Sequence, residues 1–235
     1  IFRIKNLIVD GIYTHLSADE EKGEANRQFT MSQAARFSMV LDELKEHGIR
    51  QPKVHMQASY GVFNYPALCG DYARVRIALY GVLSTGEDTA EWREALKPVL
   101  SLKTRVASVR EIYAGETAGY GFSFTAKRTM KIAALSIGYA DGFPRMLSNG
   151  KGAVLIRGSI APVVGMVCMD QTLVDVTEIA DVCTGDVAVV IGISQEKEIS
   201  VCDLAQRLGT ITNEILSRIG ERAERVTING FRCRN

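Results

Sequence analysis

Five short clusters in the 235-residue sequence combine side chains able to bind or move a proton with the turns and strand ends that expose them. Gly11-Ile12-Tyr13-Thr14-His15 puts an imidazole at the end of an apolar run, the place where ligands gather in parallel α/β sheets and barrels. A lone histidine is more often structural. His55 occupies a comparable position with less weight, and His47 reads as a cation at a helix end. Arg74-Val75-Arg76-Ile77 carries two guanidinium groups into an apolar stretch, and a buried guanidinium needs an anion or hydrogen-bond acceptors. The plain alternative is a strand end at the surface. Gly119-Tyr120-Gly121-Phe122 flanks a phenol with glycines, which allow close backbone approach and let the ring project into a cleft; a simple turn is the competing reading. Ile137 to Arg145, containing Tyr139, reads as a strand breaking into a Gly/Pro loop, and Gly165 to Gln171 as an apolar strand ending in Met169, Asp170 and Gln171.

The elements that must position these groups change character along the chain. Leu7-Ile8-Val9 and Gly11-Ile12-Tyr13 form an apolar run expected to be a strand buried on both faces. From Asn26 to His47, Met31, Ala34, Phe37, Val40, Leu41 and Leu44 recur at helical spacing, with Gly48 as the stop. Lys53 to Met56 and Val75 to Tyr80 predict two further strands, so the first third alternates strand and helix as a parallel α/β layout does. Asp88 to Leu96 predicts a short charged helix bearing Trp92. Beyond it, Val/Ile/Thr-rich runs separated by glycines (Leu102 to Ile112, Lys131 to Ile137, Ala153 to Ile156, Ala161 to Cys168, Leu173 to Val176, Val187 to Ile191) predict an antiparallel sheet or small barrel. Ser200 to Asp203 predicts a capping box opening a helix through Leu208, followed by a helix from Asn213 to Ile219 and a last strand at Val226-Thr227-Ile228. The domain boundary falls near Glu91.

Composition narrows the partners. A formal charge of +1 gives no electrostatic case for nucleic acid or a membrane surface, and no apolar run approaches the ~20 residues a bilayer span needs. The five cysteines (Cys69, Cys168, Cys183, Cys202 and Cys233) contain no CxxC pair, which favours reduced thiols in a cytoplasmic setting over a disulfide or zinc framework. The first residue is not Met, and the chain is expected to be a piece of something longer.

In order along the chain, GIYTH followed by ADE, RxxIALYG, GYG, IGYADG, GxVCMDQ and LGTI before NE resemble the alanine-racemase family, from about Leu7 to Val226. The resemblance implies the later part of a (β/α)8 barrel over residues 1–91, then a mainly antiparallel β domain over 92–235. It implies pyridoxal 5'-phosphate as cofactor and interconversion of L- and D-amino acids. Residue by residue, it implies that Tyr120 is one of two catalytic bases, since a proton removed from one face of Cα must return on the other. A phenol ordinarily titrates near pH 10, so cations must favour its phenolate, and His15 and Arg74 would supply that bias. Arg74 would also face the cofactor ring nitrogen and keep it unprotonated. Ser59, with the backbone of Arg76 and Ile77, would hold the phosphate. Tyr139, Met169 and Asp170 would line the substrate's way in. Because family sites combine the barrel of one subunit with the β domain of the other, a head-to-tail homodimer is implied, with Tyr120, Tyr139, Met169 and Asp170 serving the partner's cofactor.

Three departures from the family pattern carry consequences. No lysine here stands in the context of the cofactor lysine, so the polypeptide by itself is expected neither to anchor the cofactor covalently nor to close its barrel. Arg76 stands where most members have glycine. Asn213 stands where the family has a tyrosine of the phosphate and substrate pocket, exchanging a ring for an amide donor and acceptor. That change is expected to admit a hydroxymethyl group, so that L-serine is accepted beside or ahead of L-alanine. It resembles the membrane-bound serine/alanine racemases of vancomycin-resistance clusters, whose parent chains are anchored upstream and supply cell-wall precursors. Alternatives stay open: a plain alanine racemase, a two-domain decarboxylase using an active-site cysteine, a non-catalytic module derived from the fold, and, for Asn213, a simple helix cap.

Overall fold

This computed structural model describes residues 1–2, 4–18 and 23–228. Asp19 and Glu20 of the ADE landmark lie outside the described residues, as does Cys233. Two compact units make up the chain, Ile1–Val99 and Leu100–Asn235. The segment between the change of texture at Glu91 and Val99 thus goes with the first unit.

In the first unit, strands β1 (Gly11–Tyr13) and β2 (Lys53–His55) lie parallel, with Tyr13 opposite His55 at their C-terminal ends. Parallel neighbours need a crossover connection, and helix α1 (Glu24–Glu46) provides it. Ala34 and Phe37, one turn apart on α1, pack with Val54 and Met56, and Ile12 and Leu41 close over them. Gly48, at φ 68°, ends the helix in the left-handed conformation that a Cβ disfavours. The burial expected of β1 on both faces is not seen. Leu7 to Val9 form no strand, Ile8 is 91% exposed, and Met31 and Val40 of α1 also face solvent. The cause is that β1 and β2 pair only with each other among the described residues.

The strand expected from Val75 to Tyr80 is also corrected. Only Arg74 makes a β-bridge, to Ala58, and Ile77–Tyr80 turns as a 3-10 helix. The Ser59 hydroxyl oxygen, at the start of α2 (Ser59–Asn64), accepts from the N–H groups of Arg76 (2.9 Å) and Ala78 (3.3 Å). Those donors would otherwise serve a strand ladder. The charged helix is shorter than expected, α3 (Gly86–Glu91), with Thr85 as N-cap and Trp92 at its C-cap.

The second unit contains β3 (Leu102–Ile112), β4 (Thr117–Ala118), β5 (Phe124–Thr125), β6 (Met130–Leu135), β7 (Ala153–Ile156), β8 (Ser159–Val164), β9 (Thr172–Asp175), β10 (Val187–Ser194) and β11 (Lys197–Ile199). The antiparallel order β11-β10-β3-β6-β9-β8-β7 closes on itself because β10 also pairs with β7. Closure removes exposed edges from the ring, and Val106, Ile132, Leu135, Val154, Ile156 and Val174 are fully buried. Strand β8 stops at Val164, not at Cys168, because Gly165 takes φ 63°. Ser200 and Asp203 form the expected capping box of α4 (Val201–Leu208), and α5 (Thr212–Ser217) follows. No strand forms at Val226 to Ile228, where Val226 and Ile228 stand in solvent.

Asp71 ties β2 to the loop that leads to Arg74: one carboxylate oxygen meets Lys53 Nζ at 2.9 Å and the other accepts the Val54 N–H at 2.8 Å. The Lys53 hydrogen bond, then the Val54 N–H, hold its carboxyl below the usual aspartate range. A depressed folded-state pKa adds stability that is present above the unfolded value of about 4 and is lost as pH falls through the folded value. Asp71→Asn is therefore expected to be less stable than the parent at neutral pH, with the gap closing below about pH 4. Urea unfolding across that range checks it; a gap independent of pH contradicts it.

Candidate functional site

The first unit gathers its candidate groups where β1 and β2 end. Arg74 is half-buried there and has five polar contacts. Its Nη1 lies 2.6 Å from His55 Nδ1 and 3.3 Å from the His55 carbonyl. Its Nη2 donates to the carbonyls of Thr14 (2.9 Å) and Met56 (3.3 Å) and lies 3.1 Å from His15 Nδ1. A guanidinium can only donate, so both imidazoles accept at Nδ1 and carry their proton on Nε2. The Tyr13 ring stacks on His55 at 5.1 Å and receives the guanidinium carbon 4.9 Å from its centroid. None of the five contacts uses the Arg74 Nε–H.

One residue beyond the Ala58–Arg74 bridge, Ser59 is buried and collects the Arg76 and Ala78 amides on its oxygen. Ile77 is buried and the Arg76 side chain is exposed. His15, Ser59, Arg74, Arg76 and Ile77 thus fall into one neighbourhood. His55 and Tyr13 join it with more contacts than sequence reasoning gave them.

This neighbourhood fits a flat, anionic, nitrogen-containing cofactor. A held guanidinium with a spare N–H suits an aromatic ring nitrogen, and a serine hydroxyl among convergent amides suits a phosphate.

The second unit assembles its clusters by backbone. Gly119 (φ 79°) and Gly165 (φ 63°) approach so closely that a Cβ on either would meet the other's segment. Between β4 and β5, this leaves Tyr120 projecting, 74% exposed. The Tyr139 N–H donates to the Cys168 carbonyl and the Ala140 N–H to the Met169 carbonyl, each at 3.0 Å. Gly138 permits that contact, since a Cβ there would overlap both carbonyl oxygens. The segments bearing Tyr120, Tyr139, Met169 and Asp170 are therefore contiguous. Tyr139, Gly142, Pro144, Arg145 and Arg218 line a cleft of about 440 Å³.

One side chain that sequence reasoning missed, Arg222, closes this assembly. Arg222 Nη1 lies 2.7 Å from Asp170 Oδ1, and its Nε lies 3.2 Å from Asp141 Oδ1. The Asp170 hydrogen bond, then the charges of Asp141 and Asp170, raise the guanidinium's pKa. Arg222 sits in a charged run that reads as a solvated face, so its spacing carried no signal. Asn213 lies in the first turn of α5, but Ile211 is the N-cap, so Asn213 is not the helix cap. It is half-buried, with its Oδ1 3.5 Å from the Thr212 hydroxyl. Burial pushes the Cys168 thiol up, against a lowering by Arg145. No described helix is long and apolar enough to cross a membrane.

Comparison with known proteins gives matches to both units. The family description "Alanine racemase, C-terminal domain" matches residues 99–227, and "Alanine racemase, N-terminal domain" matches residues 1–84. An amino-acid racemase of Enterococcus faecalis is 43% identical over 221 residues, covering 94% of this chain and 31% of that protein. A serine/alanine racemase of Enterococcus gallinarum is 36% identical over 224 residues, again 94% of this chain and 31% of that protein. The crystal structure of alanine racemase from Bartonella henselae with covalently bound pyridoxal phosphate superposes with a TM-score of 0.76 at 33% identity, covering 93% of this chain and 56% of that one. The chain spans about a third of the two Enterococcus racemases and over half of the solved structure.

Proposed function

For a chain that belongs to the alanine racemase family, we propose amino-acid racemisation with pyridoxal 5'-phosphate, on serine, alanine or both. The first unit is the later part of the family's (β/α)8 barrel, and the second is its C-terminal β domain. The observation that carries the proposal is the 3.1 Å contact between Arg74 Nη2 and His15 Nδ1 at the strand ends. It puts a fixed cation behind an imidazole whose Nε2–H is left to donate.

Each residue then has a task. Arg74 would face the cofactor's ring nitrogen, where its permanent charge would keep that nitrogen from taking a proton. Ser59, with the backbone N–H groups of Arg76 and Ile77, would hold the phosphate. Bound pyridoxal phosphate acidifies the substrate Cα–H by accepting electron density from it. Tyr120 takes or returns the Cα proton on one face. The His15 Nε2–H and the Arg74 charge behind it stabilise the phenolate that this requires. Tyr139, Met169 and Asp170 shape the opening through which the amino acid arrives.

Exposure of Tyr120 on a hairpin suits a base delivered to another subunit, and we read the assembly as a head-to-tail homodimer in which the partner subunit's Tyr120 meets His15. Asn213, with the likeness to a serine/alanine racemase, supports serine as a substrate, as in vancomycin-resistance enzymes that feed cell-wall precursor synthesis from the cytoplasm. Plain alanine racemisation is the second reading, favoured by the family descriptions.

In the full-length protein, Tyr120→Phe is expected to lower racemisation by about 10²–10⁴-fold. One enantiomer should continue to exchange its Cα hydrogen with D₂O, through the base on the other face, while its mirror image stops. Racemisation within about twofold of the parent in both directions removes Tyr120 from the mechanism. Asn213→Tyr is expected to lower the serine-to-alanine ratio of kcat/KM by about tenfold, the scale of one hydrogen bond. An unchanged ratio discards the serine reading.

A further inference from the structure

Side chains that line an opening for substrate must stay accessible, so burial cannot hold them. Tyr139 is 42% exposed and Met169 54%. Their placement depends on the two loops that carry them, and those loops need ties that work in solvent. On one side the tie is the pair of amide-to-carbonyl bonds from Tyr139 and Ala140 to Cys168 and Met169. On the other side it is Arg222.

We propose that Arg222 is a positioning residue, whose guanidinium forks between Asp141 and Asp170 and thereby fixes the spacing of the Tyr139 and Met169 loops across the substrate's opening. The substrate role rests on the racemase reading given above; the loop-holding role does not.

The geometry separates this from an ordinary surface ion pair. Two different guanidinium nitrogens reach two carboxylates from two different loops. Asp141 is only 13% exposed, and both its oxygens are engaged: Oδ1 by Arg222 Nε and Oδ2 by the Gly138 N–H at 2.9 Å. Breaking the Arg222 contact therefore loosens the carboxylate that caps the Tyr139 turn. Arg222 is itself anchored. It follows α5, and the carbonyl of the C-cap Arg218 and the Cα of the next residue, Ile219, pack so tightly on Gly142 that a Cβ there would overlap them. Arg225 Nη2 donates to the Ile219 carbonyl at 3.3 Å and holds the same turn. A planar fork spans two acceptors in a fixed geometry, whereas an ammonium acts as a single point of charge.

The test uses the full-length protein, its Arg222→Gln variant and its Arg222→Lys variant. Amide hydrogen exchange read by mass spectrometry should quicken by about fivefold or more over residues 136–142 and 166–171 in Arg222→Gln. Strands β3, β6 and β10 should keep their protection. The KM for the amino acid should rise about fivefold while kcat stays within about twofold, and Arg222→Lys should fall between parent and Arg222→Gln on both readouts. Unchanged exchange in the two loops overturns the proposal, as does a uniform loss of protection that includes the barrel strands. Loosened loops with KM unmoved overturn its substrate half. Failure of the racemase reading shows separately, as an inactive parent protein whose loops still loosen in Arg222→Gln.

Discussion

The Arg74 guanidinium, held by two imidazoles and three backbone carbonyls, is the interaction that organises the strand ends of the first unit. A half-buried cation needs acceptors to replace the water it loses, and here they come from the ends of both parallel strands. Thr14 and His15 follow β1, and His55 and Met56 end or follow β2. The parallel pairing that sets Tyr13 beside His55 therefore builds the cage as it forms. Whatever fixes the strand register also fixes the cation and the imidazole that it supports.

The second unit meets a different constraint. The side chains of Tyr120, Tyr139 and Met169 stand exposed, and the closed barrel supplies rigidity only beneath them. The loops are joined where glycines let backbone touch backbone: Gly119 against Gly165, and Gly138 against the carbonyls of Cys168 and Met169. A side chain at Gly138 would displace the carbonyls that receive the Tyr139 and Ala140 amides. Polar ties then complete what close approach begins, with Asp141 receiving both the Gly138 N–H and Arg222.

How much of this was legible in sequence depended on the kind of signal. The α1 crossover, its Gly48 stop and the Ser200–Asp203 capping box follow from local periodicity and capping chemistry, and they form where expected. Arg74 in an apolar stretch raised the question of acceptors, with a strand end at the surface as the plainer reading; it stands half-buried with five polar contacts. Local pattern failed where a distant group intervened. The Val75 to Tyr80 run has the composition of a strand, but the Ser59 hydroxyl takes its amides and the chain coils instead. Burial of Leu7 to Val9 was read from apolarity alone, which says nothing about whether a neighbour is there to cover it. His55 was underweighted because its value lies in a partner 19 positions away. Arg222 was not found, because its two carboxylates stand 81 and 52 residues earlier, and a run such as Gly220-Glu221-Arg222-Ala223-Glu224-Arg225 looks like any charged surface.

The most direct test of the Arg74 cage is the protonation pattern of the two imidazoles that accept from it. Nitrogen-15 NMR on the full-length protein at about pH 8, where a neutral histidine ring carries a single proton, reads that pattern nitrogen by nitrogen. The account predicts that His15 and His55 both carry their proton on Nε2, leaving Nδ1 bare, and that Arg74→Met releases both from that fixed tautomer. A proton on Nδ1 of either ring in the parent protein would contradict it, since a guanidinium has no lone pair to receive that proton.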